Sequence, residues 1–177
     1  MNGRKVVFLD RDDTLIEDKV YLNDPKQIFY LPEVFESLKL LQDGGYELYV
    51  VTNQSGVPRG LVTHENIAEI HNVIHQDFAQ RDVEILGFAY APHLPDSDHY
   101  LRKPNPGMLL EAAKEHNIDL KQSWMVGDRM TDVEAGHRAG GRSILYGNKE
   151  TPEGSPFSPP EAHVQSLLEM ARFILKN

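Results

Sequence analysis

The sequence contains no cysteine among its 177 residues. This absence excludes disulfide bonds, zinc sites built from thiolates and cysteine nucleophiles. Positive charge is also scarce. The chain has 18 Lys and Arg residues and 27 Asp and Glu residues, which gives a formal net charge of -9. Such a chain does not attract nucleic acid or anionic lipid in general, so neither is expected as a partner. An anionic substrate would have to be attracted by a metal ion or by a few local cations.

Long hydrophobic runs are absent as well. No apolar stretch approaches the roughly 20 residues that a transmembrane helix needs, and residues 1–5 lead directly into a short apolar run without a signal peptide. We therefore expect a cytoplasmic protein without membrane contact. The length suits one domain over residues 1–177 rather than two, and we expect that domain to be a monomer.

Short apolar runs alternate with helical patterns along most of the chain. The apolar runs are 6–9, 48–51, 85–91, 124–126 and 143–146, and the helical patterns between them are 32–42, 63–80, 107–116 and 131–139. Continuous hydrophobicity is typical of strands buried on both faces, and repeated alternation with helices predicts a doubly wound, Rossmann-like parallel sheet of the α/β class. Residues 147–160, rich in Pro, Gly and Ser, predict a loop before a final amphipathic helix. The gaps between the predicted strands leave no room for a second domain.

Polar and charged residues follow four of these predicted strands. They are Asp10, Asp12 and Thr14 after the first strand, Thr52 and Asn53 after the second, Arg102 and Lys103 beyond the third, and Asp128, Arg129 and Asp132 after the fourth. Open parallel sheets bind ligands outside the carboxyl ends of their strands. A single Asp after a strand is often only a helix cap or a turn residue, but here the coincidence recurs at four strands. Clustered carboxylates repel one another unless a cation joins them, which predicts a hard divalent cation such as Mg²⁺ at this edge.

These residues resemble the four motifs of the haloacid dehalogenase (HAD) superfamily of phosphatases. The matching segments are Asp10-x-Asp12-x-Thr14, Thr52, Lys103 and Gly127-Asp128-x-x-x-Asp132, in the order of the family and across almost the whole chain. Residues 8–12, 51–56 and 102–108 carry a closer resemblance to the heptose bisphosphate and histidinol phosphate phosphatases, which lack a separate cap domain. The resemblance implies a HAD-like fold and magnesium-dependent hydrolysis of a phosphomonoester through an aspartyl-phosphate.

The resemblance also implies catalytic roles for four residues. Asp10 would be the nucleophile, and Asp12 would be the general acid and base, which requires a raised pKa. Thr52 and Lys103 would hold the oxygens of the phosphoryl group and stabilise its charge during transfer.

Metal and substrate contacts are implied in the same way. Mg²⁺ would be held by Asp10, Asp128 and the backbone carbonyl of Asp12, and Asp132 would orient Lys103 or a water on the metal. The expected contacts to a small phosphorylated substrate are Arg11, Asp18, Lys19, Val20, Tyr21, Asn53, Gln54, Ser55, Arg102 and Arg129. Arg102 suits bidentate recognition of a second phosphate or of vicinal hydroxyls.

Two positions depart from the family pattern. Relatives often hold a structural zinc with Cys-x-His and Cys-x-Cys, whereas this chain has only His93 and His99 there, so no structural zinc is expected. Asp13 stands where the family usually has glycine, and Asp tolerates a positive φ better than most residues. Two interpretations of Asp13 stay open. It points inward and raises the pKa of Asp12, or, as we prefer, it faces solvent and caps the turn.

Three functions are compatible with these motifs. The favoured one is the removal of the 7-phosphate from D-glycero-D-manno-heptose 1,7-bisphosphate, since residues 54–56 and 59–60 fit that branch of the family better. The alternatives are hydrolysis of histidinol phosphate and, from another class, a catalytically silent protein that binds phosphate ligands. His71 and His75 have the spacing of two metal ligands on one helix face, but no third ligand accompanies them, so we interpret them as surface or half-buried residues.

Overall fold

A parallel sheet of six strands forms the centre of the structure, a computed structural model that describes residues 3–149 and 155–177. The strands are β1 (Val6–Leu9), β2 (Glu47–Asn53), β3 (Ile85–Ala91), β4 (Trp124–Gly127), β5 (Arg142–Tyr146) and β6 (Ala162–Val164). Their order is β3-β2-β1-β4-β5-β6, and every neighbouring pair is parallel. The predicted α/β fold is confirmed. The first five strands lie where the apolar runs placed them.

In the described residues, one α-helix lies between each consecutive pair of strands from β1 to β5, and another follows β6. They are α1 (Val34–Asp43), α2 (His64–Ala79), α3 (Gly107–His116), α4 (Met130–Arg138) and α5 (Leu167–Lys176). The predicted helices begin and end within two residues of these bounds. Within the described parts of the chain, no helix has both the length and the apolar character that crossing a membrane requires. The predicted loop at 147–160 falls partly on residues 150–154, which lie outside the described residues.

Local signals in the sequence explain where the helices begin and end. Thr63 caps α2, because its hydroxyl accepts a hydrogen bond from the backbone N–H of Asn66 and the Asn66 side chain accepts one from the N–H of Thr63, both at 3.0 Å. After α1 the chain turns at Gly45, whose φ of +88° favours glycine. The short strand β6 was not predicted, because three residues between a loop and a helix are too few to show a pattern.

The two faces of the sheet are both covered, which fixes β1 in the middle of the molecule. Val7 and Leu9 pack into a cluster with residues of α1, α2 and α5, while Val6 and Phe8 pack against residues of α3 and α4 on the other face. All four side chains are at most 1% exposed, and burying one of this size contributes about 1.5–3 kcal/mol. The residue that follows β1 is therefore held by a rigid strand.

Candidate functional site

A cleft of about 700 Å³ lies at the carboxyl ends of β1, β2 and β4, in the middle of the sheet. This is where open α/β sheets bind ligands. The structure brings all but one of the sequence-predicted site residues to its lining: Asp10, Arg11, Asp12, Asp18, Val20, Tyr21, Thr52, Asn53, Gln54, Ser55, Arg102, Lys103, Asp128, Arg129 and Asp132. Lys19 is the exception.

Asp10 extends β1 by one residue into the cleft. Its backbone N–H donates to the carbonyl of Val126 at 2.9 Å, which continues the pairing of β1 with β4 and fixes the Cα position. Its side chain is 12% exposed, and its Oδ1 accepts a hydrogen bond from the Lys103 ammonium at 2.8 Å. A carboxylate held this rigidly and still open to the cleft is suited to attack an electrophile in line.

Lys103 lies almost completely buried beneath Asp10. Its Nζ donates to Asp10 Oδ1 at 2.8 Å and to the carbonyl of Val51 at 2.9 Å, and it pairs with Asp132 Oδ1 at 2.6 Å. Burial alone would lower the pKa of Lys103, but the Asp10 and Asp132 carboxylates more than offset this effect, so its pKa is raised. The side chain is therefore a permanent cation on the floor of the cleft.

The backbone of Lys103 is also fixed, by Asn53. The amide of Asn53 donates to the carbonyl of Lys103 at 3.1 Å and accepts from its N–H at 3.0 Å. This pair of hydrogen bonds joins the end of β2 to the loop before α3. Asn53, predicted as a substrate contact, thus has its side chain engaged by the protein.

The carboxylates of Asp10, Asp128 and Asp132 each offer an oxygen, and these oxygens lie within 4.8 Å of one another. Both oxygens of Asp132 are used, since Oδ1 pairs with Lys103 and Oδ2 accepts from the N–H of Arg129 at 3.1 Å. Oδ1 of Asp128 is buried and has no hydrogen-bond partner among residues 3–149 and 155–177. A hard cation between Asp10 and Asp128 would satisfy that oxygen and offset the repulsion, so these residues fit Mg²⁺.

Electrostatics around Asp128 are consistent with a cation site. Burial raises the pKa of Asp128, and the charge of Asp10 raises it further. A cation bound between the two groups would favour their ionised forms. The glycine before Asp128 makes room for this arrangement, because a Cβ on Gly127 would lie 2.2 Å from the carboxyl group of Asp132.

Asp12 lies beside Asp10, with its carboxyl group held from two directions. Nη2 of Arg11 donates to Oδ1 at 3.2 Å and to Oδ2 at 3.1 Å, and the Gln54 amide donates to Oδ2 at 3.1 Å. Gln54 also donates to the Thr52 hydroxyl at 2.9 Å. Burial raises the pKa of Asp12, Arg11 opposes this, and the charge of Asp10 adds to it, so its pKa is raised as a general acid requires.

Two predicted substrate contacts are placed differently from our expectation. The Arg11 side chain borders the cleft but is only 1% exposed, and its guanidinium is bonded to Asp12 and to His71 Nε2 at 3.2 Å. Lys19 points away from the cleft, because its ammonium pairs with Glu17 at 2.6 Å and lies over the ring of Phe29. Both cations are engaged by protein groups, which argues against their contacting a substrate directly.

Asp13 has the positive φ that the family's glycine suggested, at +58°. Its Oδ1 accepts from the backbone N–H of Asp18 at 3.1 Å, and its Oδ2 accepts from Lys149 at 3.3 Å, with the side chain 42% exposed. These contacts support the interpretation of Asp13 as a solvent-facing residue that closes the turn.

Two guanidinium groups, those of Arg102 and Arg129, line the mouth of the cleft. Partial burial, together with the charges of Arg129 and Arg59, lowers the pKa of Arg102. Nη1 of Arg102 donates to the carbonyl of His93 at 3.0 Å, while Arg129 is 64% exposed. Like charges gather at a cost unless an anion joins them, so this mouth is suited to an anionic group beyond the reacting phosphate.

The loop after β5 also lines the cleft, with four residues that the sequence did not predict: Lys149, Ser155, Pro156 and Phe157. The ammonium of Lys149 contacts the Asp128 carboxylate, and Phe157 packs near Met130 and Leu145. None of the four belongs to a motif or a periodic pattern, so no signal in the sequence could have found them. His93 and His99 stack face to face, with ring centroids 3.4 Å apart, and the absence of a structural zinc from their loop stays a prediction.

The known proteins to which this chain is similar are HAD-like hydrolases and heptose bisphosphate phosphatases. Residues 100–170 match the model of a family described as HAD-hydrolase-like. The D-glycero-alpha-D-manno-heptose-1,7-bisphosphate 7-phosphatase of Photorhabdus laumondii is 37% identical over 146 residues, covering 78% of this chain and 80% of that protein. The corresponding beta-named enzyme of Helicobacter pylori is 36% identical and covers 78% and 81%. The D,D-heptose 1,7-bisphosphate phosphatase of B. bronchiseptica, solved with magnesium and phosphate, has a TM-score of 0.85 at 27% identity and covers 97% and 98%.

Proposed function

Because this chain belongs to the HAD superfamily and, within it, to the heptose bisphosphate phosphatases, we propose that it removes the 7-phosphate from a D-glycero-D-manno-heptose 1,7-bisphosphate. The observation that carries the proposal is the geometry around Asp10, a rigid carboxylate open to the cleft above a buried lysine. One domain, residues 1–177, would carry the whole activity. Its cytoplasmic location and monomeric state stay predictions.

The reaction would take place in two steps. An oxygen of Asp10 bonds to phosphorus as the bond from phosphorus to the sugar oxygen breaks, and Asp12 gives its proton to that leaving oxygen. Asp12, now ionised, then takes a proton from the water that attacks phosphorus, which releases inorganic phosphate and restores Asp10. Burial raises the pKa of Asp12, in the direction that the first step requires.

The charge of the phosphoryl group would be balanced by fixed groups of the cleft. Lys103 and the Thr52 hydroxyl are positioned at its floor, each already oriented by hydrogen bonds to the protein. A magnesium ion held by Asp10, Asp128 and the backbone carbonyl of Asp12 would supply the remaining neutralisation of negative charge. Asp132 would hold Lys103 in place.

The two guanidiniums at the mouth support a bisphosphate as the substrate. A second phosphate, away from the reacting one, would join Arg102 and Arg129 through charge-assisted hydrogen bonds. Histidinol phosphate, the alternative substrate, carries no second phosphate and has a protonated amine. The same guanidiniums would repel that amine, so the geometry favours the heptose bisphosphate.

We expect phosphate release from a substrate panel to follow this order. The panel contains the alpha and beta anomers of the heptose bisphosphate and histidinol phosphate, each with Mg²⁺ and with a chelator. At least one anomer should exceed histidinol phosphate by about tenfold or more in kcat/KM, a difference of about 1.4 kcal/mol. The chelator should abolish release. A preference for histidinol phosphate would contradict the substrate, and binding without any hydrolysis would favour the silent phosphate-binding protein.

Replacing Arg102 with alanine should weaken binding of the bisphosphate without disabling the chemistry. Loss of a charge-assisted contact of about 1.5–3 kcal/mol should lower kcat/KM for the bisphosphate by roughly tenfold to a hundredfold, mainly through KM. Release from p-nitrophenyl phosphate, which has no second phosphate, should change little. Arg172→Ala, which removes an exposed arginine from α5, is the matched control. An equal loss of kcat/KM on both substrates would show that Arg102 does not bind the second phosphate.

A further inference from the structure

His71 is a buried histidine on the inner face of α2, only 7% exposed, contrary to our expectation of a surface or half-buried residue. Its ring stacks on Phe88 of β3 with centroids 4.7 Å apart and planes 22° from parallel. Tyr90, also on β3, packs against the edge of the imidazole at 6.2 Å. These two aromatic side chains fix the plane of the ring, so its nitrogens point in set directions.

One of those nitrogens faces Arg11. Nε2 of His71 lies 3.2 Å from Nη1 of Arg11, and both side chains are buried. A guanidinium can only donate hydrogen bonds, so Nε2 must be the acceptor and the proton of the neutral ring must sit on Nδ1. Burial, reinforced by the charge of Arg11, lowers the pKa of His71 to about 3, so the ring is neutral at physiological pH.

The other side of the Arg11 guanidinium faces Asp12. Nε and Nη2 both lie within hydrogen-bond distance of Asp12 Oδ1, at 3.3 and 3.2 Å, and Nη2 also reaches Oδ2 at 3.1 Å. A planar fork bonded to both oxygens sets the plane of the carboxyl group. Arg11 has four rotatable side-chain bonds, and the contact with His71 restrains its far end from the side opposite Asp12.

We infer that His71 is a positioning residue: by accepting from Arg11 it aligns the guanidinium that orients the Asp12 carboxyl group toward the leaving oxygen. The inference rests on the proposed function, in which Asp12 protonates that oxygen. His71 does not touch the substrate and moves no proton. His71 acts only through Arg11. What it affects is the angle at which Asp12 donates its proton.

This arrangement affects only leaving groups that need a proton. A sugar alkoxide is a poor leaving group, so the bond from phosphorus to its oxygen breaks readily only when Asp12 protonates that oxygen as it leaves. A p-nitrophenolate is stable as an anion and leaves without protonation. Misaligning Asp12 should therefore slow hydrolysis of alkyl phosphates and leave that of p-nitrophenyl phosphate nearly unchanged. A general destabilisation of the fold would slow hydrolysis of both.

The test uses two variants with opposite hydrogen-bonding ability. His71→Phe keeps an aromatic ring on Phe88 but removes the acceptor, and His71→Gln retains an acceptor at nearly the position of Nε2. With His71→Phe, kcat/KM for the heptose bisphosphate should fall about tenfold, because general-acid catalysis by Asp12 is weakened but not lost. The kcat/KM for p-nitrophenyl phosphate should fall less than about twofold. His71→Gln should recover most of the loss. His75→Phe, on an exposed position one turn later, is the matched control.

The outcomes separate the inference from the proposed function. If wild-type protein hydrolyses neither substrate, the proposed function fails, and the inference, which rests on it, fails as well. If wild type is active and His71→Phe slows both substrates equally, or His71→Gln recovers nothing, His71 only supports the fold and the inference is overturned. If His71→Phe does not fold, His71→Leu, which also lacks the acceptor, takes its place: a bisphosphate rate lowered alone supports alignment, and an equal loss on both substrates or no loss on either overturns it.

Discussion

Replacing Asp10 with asparagine should abolish turnover and leave the protein folded. The amide oxygen can still accept the hydrogen bond from Lys103, and the backbone bond to Val126 is unaffected, so the geometry should persist. What is lost is the charged oxygen that attacks phosphorus. Removing a nucleophile that acts as part of a unit lowers kcat by large factors, and we expect at least about a thousandfold here. Phosphate release from the heptose bisphosphate at saturation is the measurement.

Stability provides the check on Asp10→Asn. The charge of Asp10 raises the pKa of both Asp128 and Asp132, so removing it relieves repulsion among buried carboxylates. Lys103 loses one of its two counter-ions but keeps Asp132 at 2.6 Å, so the variant should unfold in urea at about the same concentration as wild type. Asp43→Asn, the same substitution in an exposed ion pair on α1, should keep full activity. Substantial turnover by a folded Asp10→Asn protein would refute its assignment as nucleophile.

The catalytic edge of the sheet could be predicted because its residues lie next to strands that the sequence shows clearly. β1 is a continuous apolar run buried on both faces, so the end of that run fixes where Asp10 points. The same reasoning places Thr52 and Asp128. Parallel strands bring their carboxyl ends to one edge whatever the order of the strands, so the site did not depend on knowing that order.

Contacts between distant loops and helix faces could not be predicted in this way. Lys149 and Asp13 are 136 residues apart, and Arg11 and His71 are 60 apart. Nothing in a local pattern encodes such a pairing. His71 did carry a signal, because Ile67, Ile70 and Ile74 form the buried stripe of α2 and His71 stands four residues after the first of them. Spacing from the apolar stripe, rather than from His75, would have shown that it points inward.

Arg11 shows that the direction in which a side chain points could not be predicted from the sequence either. The residue lies between two site residues of the Asp10-x-Asp12 motif, so its position was predicted well. Successive residues after a strand point in different directions, and Arg11 turns under the cleft toward α2. Its guanidinium contacts Asp12 and His71, from which we infer a support for Asp12 in place of the predicted contact with the substrate. This direction depends on packing and not on spacing.

Replacing Lys103 with methionine should damage both catalysis and stability. Methionine is similar in length and apolar, so the packing is largely kept, but Asp10 and Asp132 lose the cation that lies within 2.8 Å of each. Breaking a buried ion pair by removing one partner costs about 3–5 kcal/mol. Losing a charge that stabilises the transferring phosphoryl group should lower kcat by about a hundredfold to a thousandfold. Urea unfolding in the presence of a chelator measures the first effect without stabilisation by bound metal.

The loss of stability in Lys103→Met should depend on pH because of Asp132. Burial raises its pKa, the charge of Asp10 raises it further, and Lys103 opposes both, so without Lys103 the folded-state pKa rises above its wild-type value. A carboxyl group whose folded pKa exceeds its unfolded pKa destabilises the fold when ionised, and stability returns as pH falls and the group takes up a proton. The deficit of Lys103→Met should therefore be smaller at about pH 5.5 than at about pH 8. An equal deficit at both values would mean that lost packing, and not charge, causes it.

A double variant separates the two functions of Lys103. Adding Asp132→Asn to Lys103→Met removes the uncompensated carboxylate, so the pair should recover most of the stability that the single variant lost. Activity should not recover, because the cation beside the phosphoryl group is still missing. Stability that returns without turnover would show that Asp132 is present to hold Lys103 and Lys103 to hold phosphate. If turnover returned along with stability, Lys103 would be only a structural counter-ion, and the charge needed at the phosphoryl group would have to come from the metal and the arginines.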